Sequence, residues 1–574
     1  MTEFLIANMA PIMFASLIIF LMFGYAVSFS LAACGLFFGF VGVELGVIQA
    51  TFLQSLPLRM FGIMQNDTLL AIPFFTLMGL ILERSGMAED LLDTIGQLFG
   101  PIRGGLAFAV ILVGALLAAT TGVVAASVIS MGLISLPIML RYGYDRRIAG
   151  GVIAASGTLA QIIPPSLVLI VLADQLGKSV GDLYKGAFIP GFILTGLYVG
   201  YIVLVSFVKP QWVPALPPEA RTIKEADGTS GLRSLTILTL ISLAAAIGFA
   251  KWLPDTTPTD ETIVVSMCVG VGIAFFAAVI NKLTKLGLLS NMAERVTFVL
   301  IPPLALIFLV LGTIFLGIAT PTEGGAMGAV GALVMALARN RIDMKLMRQA
   351  MDSTMKLSCF VLFILIGATV FSLAFSGVDG HIWVEHLLTG LPGGQLGFLI
   401  VVNILVFILA FFLDFFELAF IIIPLLGPVA DKLGIDLIWF GVLMAVNMQT
   451  SFMHPPFGFA LFYLRSVAPS EDYIDKVTKM PIKKITIEQI YWGAVPFVII
   501  QLIMVAMIIA FPGLVSTGGS KEPIVDAEAV MMQMRQESDS QAAEAEKTEN
   551  QGDDQVDPVK ALMESMKDDP AKKP

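Results

Sequence analysis

Residues 154–166 have the sequence Ala-Ala-Ser-Gly-Thr-Leu-Ala-Gln-Ile-Ile-Pro-Pro-Ser, inside an apolar run that extends from 148 to 176. A run of this length can cross a bilayer core of about 30 Å as a helix. Gly157 favours local unwinding, and each of the two prolines removes a helical hydrogen bond. Carbonyls released in hydrocarbon are costly unless a partner satisfies them. The sequence therefore predicts a membrane helix that is interrupted at a polar site.

A second interrupted helix is predicted over 437–464. Residues 447–456 have the sequence Asn-Met-Gln-Thr-Ser-Phe-Met-His-Pro-Pro, so four polar side chains fall within five positions ahead of two prolines. A packed helix interface with interhelical hydrogen bonds is the alternative for the polar side chains. A simple proline kink is the alternative for either double proline, although two such breaks in matched positions argue against it.

The composition places both segments in a polytopic membrane protein. Of the 574 residues 57% are hydrophobic and 14% are charged, and the mean hydropathy is +0.88. Soluble domains carry about 25% charged residues, and so apolar a surface would not stay dissolved. Three cysteines in apolar stretches and three histidines, without metal-ligand spacing, predict no transition-metal site.

About twelve helical crossings are predicted. They lie near 4–22, 29–48, 68–82, 148–176, 184–207, 235–252, 262–280, 296–318, 324–338, 355–375, 437–464 and 491–511. Two further apolar segments, 104–140 and 397–430, are too long for one helix. Each is broken near its middle, at Thr120-Thr121-Gly122 and at Asp414-Phe-Phe-Glu417. We predict that both are re-entrant hairpins, which enter and leave the membrane on the same face.

The distribution of lysine and arginine supports this topology. With two hairpins, one membrane face carries 21 basic residues in its loops and the other carries five. The richer face is expected to be cytoplasmic, with both termini outside. No removable signal peptide is predicted. Residues 516–574 contribute −7 to the net charge of −10 and are predicted to be disordered.

The two halves of the chain contain a faint internal repeat. Each half has, in the same order, a broken hairpin, an Asp, a glycine and an interrupted helix with two prolines, and the offset from Asp145 to Asp436 is the same 291 residues as that between the double prolines. The charge distribution places Asp145 inside and Asp436 outside, so the repeats are inverted. Inverted repeats with interrupted helices are typical of secondary transporters. The predicted regions are 1–208 (first repeat), 209–295 (cytoplasmic loop and inserted helical pair), 296–511 (second repeat) and 512–574 (acidic tail).

Several polar residues in these apolar segments are candidates for function. Ser156 and Thr158 supply hydroxyls beside the first break, and Asp414 and Glu417 are intramembrane carboxylates, which are functional candidates by default. Thr320 and Glu323 form another polar island, for which a capped turn is the alternative. His454 is either a polar residue at the helix break or a titratable site.

Together, several segments resemble the large membrane subunit of TRAP transporters (tripartite ATP-independent periplasmic transporters). The segments that carry the resemblance are Gly143-Tyr-Asp145, Ala155-Ser-Gly-Thr158, Ile163-Pro-Pro-Ser166, Gly181-Asp-Leu183, Thr320-Pro-Thr-Glu323 and Thr450-Ser-Phe452 with Pro455-Pro-Phe-Gly458. They occur in the family's order over roughly residues 1–511.

The resemblance implies an all-α, elevator-type, sodium-driven importer of a small organic anion such as a carboxylate, in the inner membrane of a bacterium. It implies two partners besides the lipid bilayer: a small four-helix membrane subunit and a periplasmic solute-binding protein. Matching by motif, the residues expected to bind Na⁺ are Thr120, Thr121, Gly122, Ser156, Gly157, Thr158, Asp414, Glu417, Asn447, Gln449 and Thr450. The residues expected to bind substrate or to gate are Pro164, Pro165, Thr320, Glu323, Ser451, His454, Pro455 and Pro456.

Three other functions remain to be distinguished. A stand-alone sodium/anion transporter or a sodium/proton antiporter would need no binding protein, and a non-transporting scaffold would tolerate changes at Ser156 or Asn447. An intramembrane enzyme is not expected, because His-Glu-x-x-His and Gly-x-Ser-x-Gly are absent from the sequence. No nucleic-acid partner is expected.

Overall fold

A computed structural model describes residues 2–122, 124–221, 231–254, 257, 259–284, 287–455, 458–475 and 477–515, without the side chains of 2, 119–121 and 259–261. The described chain is almost entirely helical, and the all-α fold class is confirmed. The acidic tail predicted beyond 512 lies, from 516 onward, outside the described residues.

The first half of the chain forms twelve helices. They are α1 (Thr2–Ala7), α2 (Met9–Met22), α3 (Val27–Glu44), α4 (Ala50–Leu53), α5 (Leu56–Met64), α6 (Ala71–Arg84), α7 (Met87–Phe99), α8 (Gly105–Thr121), α9 (Val124–Arg141), α10 (Arg146–Thr158), α11 (Leu167–Leu176) and α12 (Val180–Val208). Short 3₁₀ turns lie at Asp67–Leu70, Leu159–Gln161, Pro210–Trp212 and Pro218–Ala220.

The second half also forms twelve helices and one small sheet. The helices are α13 (Leu232–Trp252), α14 (Thr259–Thr284), α15 (Asn291–Phe315), α16 (Pro321–Ala338), α17 (Met344–Gly377), α18 (Gly380–Thr389), α19 (Gly394–Leu409), α20 (Phe415–Ile421), α21 (Ile423–Lys432), α22 (Leu437–Met448), α23 (Phe459–Val467) and α24 (Ile487–Ala510). Strands β1 (Tyr473–Ile474) and β2 (Pro481–Ile482) pair antiparallel, and 3₁₀ turns lie at Gln449–Met453 and Pro512–Leu514.

Membrane-spanning length is common among these helices. In the described part of the chain, eight helices are long and apolar enough to cross a bilayer, namely α3, α9, α12, α13, α14, α15, α17 and α24. Two bent pairs, 50–64 with 67–84 and 380–389 with 394–409, raise the number to ten if each pair counts as one span. Each of the twelve predicted crossings has a helical counterpart, and those at 148–176 and 437–464 are split as expected.

Both long apolar segments fold back on themselves. The start of α8 lies beside the residues that follow α9, since the Leu106 amide donates to the Tyr144 hydroxyl at 3.2 Å. Likewise, Gln395 at the start of α19 donates to the Leu433 carbonyl, just after α21, at 2.7 Å. In each case the two ends of the segment lie together and the middle forms the tip. The helices at 104–140 and 397–430 therefore form hairpins, and their re-entry on one face of the membrane stays a prediction.

The two halves make reciprocal contacts. A Cβ at Gly493 in α24 would lie 2.1 Å from the Arg147 carbonyl oxygen of α10, and close to Gly151. A Cβ at Gly186 in α12 would meet Ile438 and Val442 of α22, which are the residues 291 positions after Arg147 and Gly151. Helix α10 of the first half packs on α24 of the second half, and α22 of the second half packs on α12 of the first half. Each half therefore contacts the other through equivalent helices, as units related by a two-fold axis do. These reciprocal contacts support the internal repeat that the sequence predicts.

Helix α7 connects the first hairpin to other parts of the fold. Its apolar face packs on α8 and α9, and its acidic residues form ion pairs with the second half of the chain. Asp93 pairs with Arg295 at 2.6 Å, while Asp90 pairs with Arg339 at 3.2 Å and with Arg341 at 3.0 Å. These pairs are partly exposed, so each contributes little stability, and their arrangement mainly fixes where α7 lies.

The loop between α23 and α24 is fastened to the base of the first hairpin. Arg141, at the end of α9, donates to the Asp475 carboxylate at 3.0 Å, and Asp475 is only 3% exposed. The amide and hydroxyl of Thr478 donate to the same carboxylate at 2.7 and 2.9 Å. Burial opposes ionisation of Asp475, but these hydrogen bonds and the Arg141 guanidinium lower its pKa to about 2.

We expect Asp475→Asn to increase amide hydrogen exchange over 473–482 about tenfold, because hydrogen bonds to charged groups contribute about 1.5–3 kcal/mol. A carboxylate with a lowered pKa stabilises the loop above its ordinary pKa and loses that effect as the pH falls toward 2. Protection in the native chain should therefore be constant from pH 8 to 5. Hydrogen-exchange mass spectrometry measures both effects. Asp472→Asn is the control, because it removes a carboxylate charge from the same loop but keeps an oxygen that can accept from the Lys484 amide. Equal loosening by the two variants would contradict the assignment.

Candidate ion and substrate site

The first break lies between α10 and α11. After Thr158 the chain makes one 3₁₀ turn at Leu159–Gln161, then runs through Pro164 and Pro165 to Ser166, and every residue of this segment is buried. The Ser166 hydroxyl donates to the Gln161 carbonyl and accepts from the amides of Val168 and Leu169 at the start of α11. The helix is interrupted as predicted, and part of its released backbone is satisfied locally.

Gly157 has a different role from the one expected. It lies inside α10, and the interruption begins only after Thr158. A Cβ at Gly157 would lie 2.3 Å from a methyl carbon of Val128 in α9. The glycine is therefore needed for the close approach of the first hairpin, whereas the unwinding comes from the prolines downstream.

The second break lies between α22 and α23. It consists of the 3₁₀ turn Gln449–Met453 followed by His454 and Pro455, while Pro456 lies outside the described residues. The Thr450 hydroxyl donates to the Asn447 carbonyl at 2.7 Å, and the Gly458 amide donates to the His454 carbonyl at 2.6 Å. Ser451 is 4% exposed, and its hydroxyl has no hydrogen-bond partner among the described residues.

Unpaired oxygen atoms occupy equivalent positions in the two breaks. Ser156 is fully buried, Asn447 is 1% exposed, and the two residues are 291 positions apart. Neither the Ser156 hydroxyl nor the side-chain amide oxygen of Asn447 has a hydrogen-bond partner in the described part of the chain. The side-chain oxygens of Gln161 and Gln449 are buried and unpaired as well. An unsatisfied buried polar atom costs about 1–3 kcal/mol, so this concentration of oxygens requires an explanation.

Asn403, which was not among the residues predicted from the sequence, orients Asn447. The Asn447 amide donates to the carbonyl and to the side-chain oxygen of Asn403 at 2.9 and 2.8 Å, and Asn403 in turn donates to the Leu399 carbonyl. Both amide hydrogens of Asn447 are thereby used, which leaves its oxygen directed elsewhere. In the first repeat α8 approaches Ser156 closely at Gly114, where a Cβ would lie 2.6 Å from the Ser156 Cβ. A single polar residue inside the run 397–409 was the available signal for Asn403.

The hairpin tips meet the breaks. Gly122 ends α8 with φ +57°, and its position packs against Leu167 at the start of α11. The side chains of Thr120 and Thr121 lie outside what the structure describes, so their predicted role stays a prediction. At the second tip, α20 packs on the 3₁₀ turn of the second break and also on α11.

Asp414 and Glu417 form a capping box at the start of α20. The Glu417 amide donates to Asp414 and the Asp414 amide donates to Glu417, each at 2.8 Å. One oxygen of each carboxylate is used in this way, and Glu417 is 9% exposed. The pair therefore has a structural role at the tip, and their assignment as sodium ligands stays a prediction that the remaining oxygens permit.

His454 joins the second tip to the second break by stacking. Its ring lies 4.1 Å from the ring of Phe411, nearly parallel at 17°, and meets Phe407 edge-on at 4.5 Å. Phe407 is in α19 and Phe411 is in the tip that follows. This contact fits the predicted gating role, since opening of the tip would separate the rings.

Thr320 and Glu323 lie at the exposed start of α16. They form a capping box, with the Thr320 amide donating to Glu323 at 2.8 Å. The capped turn, predicted as the alternative to a functional site, is therefore present. The neighbouring Thr322 donates to the Asp67 carbonyl at 2.6 Å. Helix α16 packs mainly on α6 and α15, so the capping role is accounted for and a role in substrate binding stays a prediction.

The donor set fits a sodium ion better than a transition metal. The available groups are hydroxyl, amide and backbone oxygens, which are ligands that hard cations prefer. No cluster of three or more His, Cys, Asp or Glu side chains suited to a metal occurs among the residues that the structure describes. Among those same residues no lysine or arginine is buried. The oxygen groups present therefore suit a hard cation, and the binding of Na⁺ stays a prediction.

Two hairpins, two interrupted helices and reciprocal halves define a polytopic membrane protein of the transporter class. Comparison with known families identifies it further. Residues 14–514 match the family model described as "Tripartite ATP-independent periplasmic transporter, DctM component", and the chain belongs to this family.

The names of two relatives agree with this assignment. The chain is 29% identical over 416 residues to the C4-dicarboxylate TRAP transporter large permease protein DctM of Pseudomonas aeruginosa, covering 72% of this chain and 81% of that protein. It is 26% identical over 516 residues to the protein of the same name from Rhodobacter capsulatus, covering 88% and 99%. A solved structure, the YdaH transporter of Alcanivorax borkumensis, aligns with TM-score 0.45 and 16% identity over 81% of this chain and 90% of that chain.

Proposed function

We propose that the protein is the substrate-translocating large subunit of a sodium-coupled importer of small organic acids in a bacterial inner membrane. Its partners in this proposal are a small four-helix membrane subunit and a periplasmic solute-binding protein that delivers the substrate. The observation that carries the sodium coupling is the pair of unpaired buried oxygens at Ser156 and Asn447, in equivalent positions of the two breaks.

The substrate class is proposed from the relatives and from the charge of the site. Both relatives described above are named for C4-dicarboxylates. An anion held near the breaks would find no buried lysine or arginine among the described residues. Bound sodium would supply the positive charge that makes anion binding favourable there. A requirement for sodium in order to bind the carboxylate follows from this arrangement.

The chain's own residues have distinct tasks in this mechanism. Ser156 and Asn447, with neighbouring backbone oxygens, bind the ions, and Asn403 orients Asn447. The two hairpin tips, fastened by Gly122 and by the stacking of His454 on Phe411, close the site from opposite faces. The hairpins and breaks then move together relative to the remaining helices. A sodium ion that moves with them through the membrane potential contributes about 2.3 kcal/mol per 100 mV.

Uptake into proteoliposomes tests the proposal. We expect radiolabelled C4-dicarboxylate to accumulate only with an inward sodium gradient, the small subunit and the solute-binding protein present. Uptake that is unchanged when potassium replaces sodium would contradict the coupling. Uptake by the large subunit alone would favour a stand-alone transporter, and proton release coupled to sodium entry without any solute would favour an antiporter.

A further inference from the structure

A polar network with no solvent access connects the two breaks. The Gln449 amide donates to the Thr158 hydroxyl at 3.1 Å. The Gln501 amide donates to the Tyr198 hydroxyl at 2.9 Å and also contacts the Met453 sulfur, which in turn contacts the Thr158 hydroxyl. All five side chains are fully buried. The network therefore joins α10, α12, α24 and the second break in the interior of the fold.

The central bond of this network lies on the axis that relates the repeats. Thr158 and Gln449 are separated by 291 residues, the offset that also relates the aspartates and the double prolines. A two-fold axis exchanges equivalent residues, so two equivalent residues in direct contact must lie beside it. Thr158 and Gln449 therefore mark the point where the two halves of the site meet.

Met453 completes the connection. Its sulfur lies 3.9 Å from the Thr158 hydroxyl and 3.8 Å from the Gln501 amide nitrogen, so it contacts both repeats. Tyr198 is further held by the ring of Phe497 in α24, at 5.1 Å and nearly perpendicular. The Thr158 and Tyr198 hydroxyls each accept from an amide, whereas the side-chain oxygens of Gln449 and Gln501 have no partner in the described part of the chain.

Apolar residues of the same shape would fill this position without the cost of burying polar groups. The network instead provides directional bonds between the two breaks. Thr158 is two residues from Ser156, and Gln449 is two residues from Asn447, so a shift of either break changes the geometry of the other. Gln501, held by the Tyr198 hydroxyl, contacts the Met453 sulfur that packs on the Thr158 hydroxyl, so these two residues position one side of this connection.

We propose that Tyr198 and Gln501 are positioning residues that couple the two sodium-binding regions through the Thr158–Gln449 bond. Binding of sodium at one break then favours binding at the other, and neither Tyr198 nor Gln501 touches an ion. This inference rests on the proposed sodium coupling. It adds a prediction that the coupling alone does not make, namely that sodium binding is cooperative and depends on residues remote from the ligands.

Thermal unfolding of the purified full-length chain at increasing sodium chloride, with choline chloride keeping the ionic strength constant, tests the proposal without transport. Sodium that binds the folded state raises the unfolding temperature. We expect a Hill coefficient above 1 for the native chain. Tyr198→Phe should bring it close to 1 and raise the half-saturating sodium concentration about fivefold, as loss of one hydrogen bond predicts. Tyr201→Phe is the matched control, since Tyr201 packs on the same Phe497 ring at 5.2 Å.

Gln501→Met provides a second variant, in case loss of the Tyr198 hydroxyl lowers the unfolding temperature in choline. We expect the same loss of cooperativity, and the double variant should be no worse than either single one, because both act on one connection. The inference is overturned if Tyr198→Phe and Gln501→Met titrate like the native chain, if their effects add, or if Tyr201→Phe has the same effect. If the native chain shows no sodium-dependent stabilisation, the proposed sodium coupling fails and this inference fails with it.

Discussion

Gly493→Ala is expected to abolish accumulation of folded protein in the membrane. A Cβ at this position would lie 2.1 Å from the Arg147 carbonyl oxygen and 3.0 Å from the Gly151 amide nitrogen, both of which are backbone atoms of α10. At the same crossing, a Cβ at Gly151 would lie 2.0 Å from the Gly493 carbonyl oxygen. Backbone cannot move aside as a side chain can, so the two helices must separate along their length.

The size of this effect follows from where the crossing lies. Overpacking a close contact costs about 1–3 kcal/mol, and more where backbone must shift. The α10–α24 crossing also positions the first break, so its separation would disturb the site as well as the core. Gly151→Ala should have the same effect, since it meets the same backbone from the other side.

The effect is measured as the yield of monodisperse protein after detergent extraction and as the unfolding temperature of the protein recovered. Gly196→Ala is the control, because a Cβ there meets nothing within 4 Å. Replacing glycine by alanine in a helix interior raises the free energy of unfolding by about 0.5–1 kcal/mol. Normal yield and stability of Gly493→Ala would contradict the packing of α10 on α24.

Ser156→Ala and Asn447→Ala should each raise the sodium concentration for half-maximal uptake at least about tenfold, and together they should eliminate sodium-driven uptake. Each variant removes one unpaired buried oxygen without enlarging the side chain. Removing a ligand or its orienting partner typically costs 10- to 100-fold, so about tenfold is a lower expectation. Ser156→Ala should not weaken the folded state, because its hydroxyl has no partner to lose in the described part of the chain, whereas Asn447→Ala also removes two hydrogen bonds to Asn403 and should lower the unfolding temperature in choline.

The measurement is initial uptake rate against sodium concentration in proteoliposomes, paired with the unfolding temperature in choline. Ser30→Ala is the control for the serine, because Ser30 is 4% exposed but donates to the Ala26 carbonyl in α3. We expect it to leave the sodium dependence unchanged. Native sodium affinity in both Ser156→Ala and Asn447→Ala would exclude these oxygens as ligands and would favour the scaffold function.

Much of this architecture is determined by local sequence. The double prolines at 164–165 and 455–456 remove hydrogen bonds of their own helices and so favour a break there, but packing also contributes, because Pro302 and Pro303 lie inside the continuous helix α15. Asp145 and Asp436 begin α10 and α22 as N-caps, accepting from the amides of Arg147 and Trp439. The apolar runs, the hairpin breaks and the repeat order are likewise properties of the chain itself.

Other features depend on which segments come together. Gly157 was expected to unwind its helix, but the structure shows it accommodating Val128 of the first hairpin. Asn403 orients Asn447 from 44 positions away, and a lone asparagine in an apolar run gives no indication of its partner. Asp414 and Glu417 could be recognised as polar residues at a tip, whereas their mutual capping depends on the backbone turn at that tip.

The sequence by itself determined that the chain is an all-α membrane protein with two hairpins and two broken helices, and it predicts an inverted repeat, because periodicity, prolines and charge distribution act within each segment. Only the tertiary structure decided how the halves meet. The hydrogen bond from Gln449 to Thr158 and the one from Gln501 to Tyr198 join positions that are 291 and 303 residues apart. Such contacts depend on the packing of distant helices, which no local pattern in the chain records.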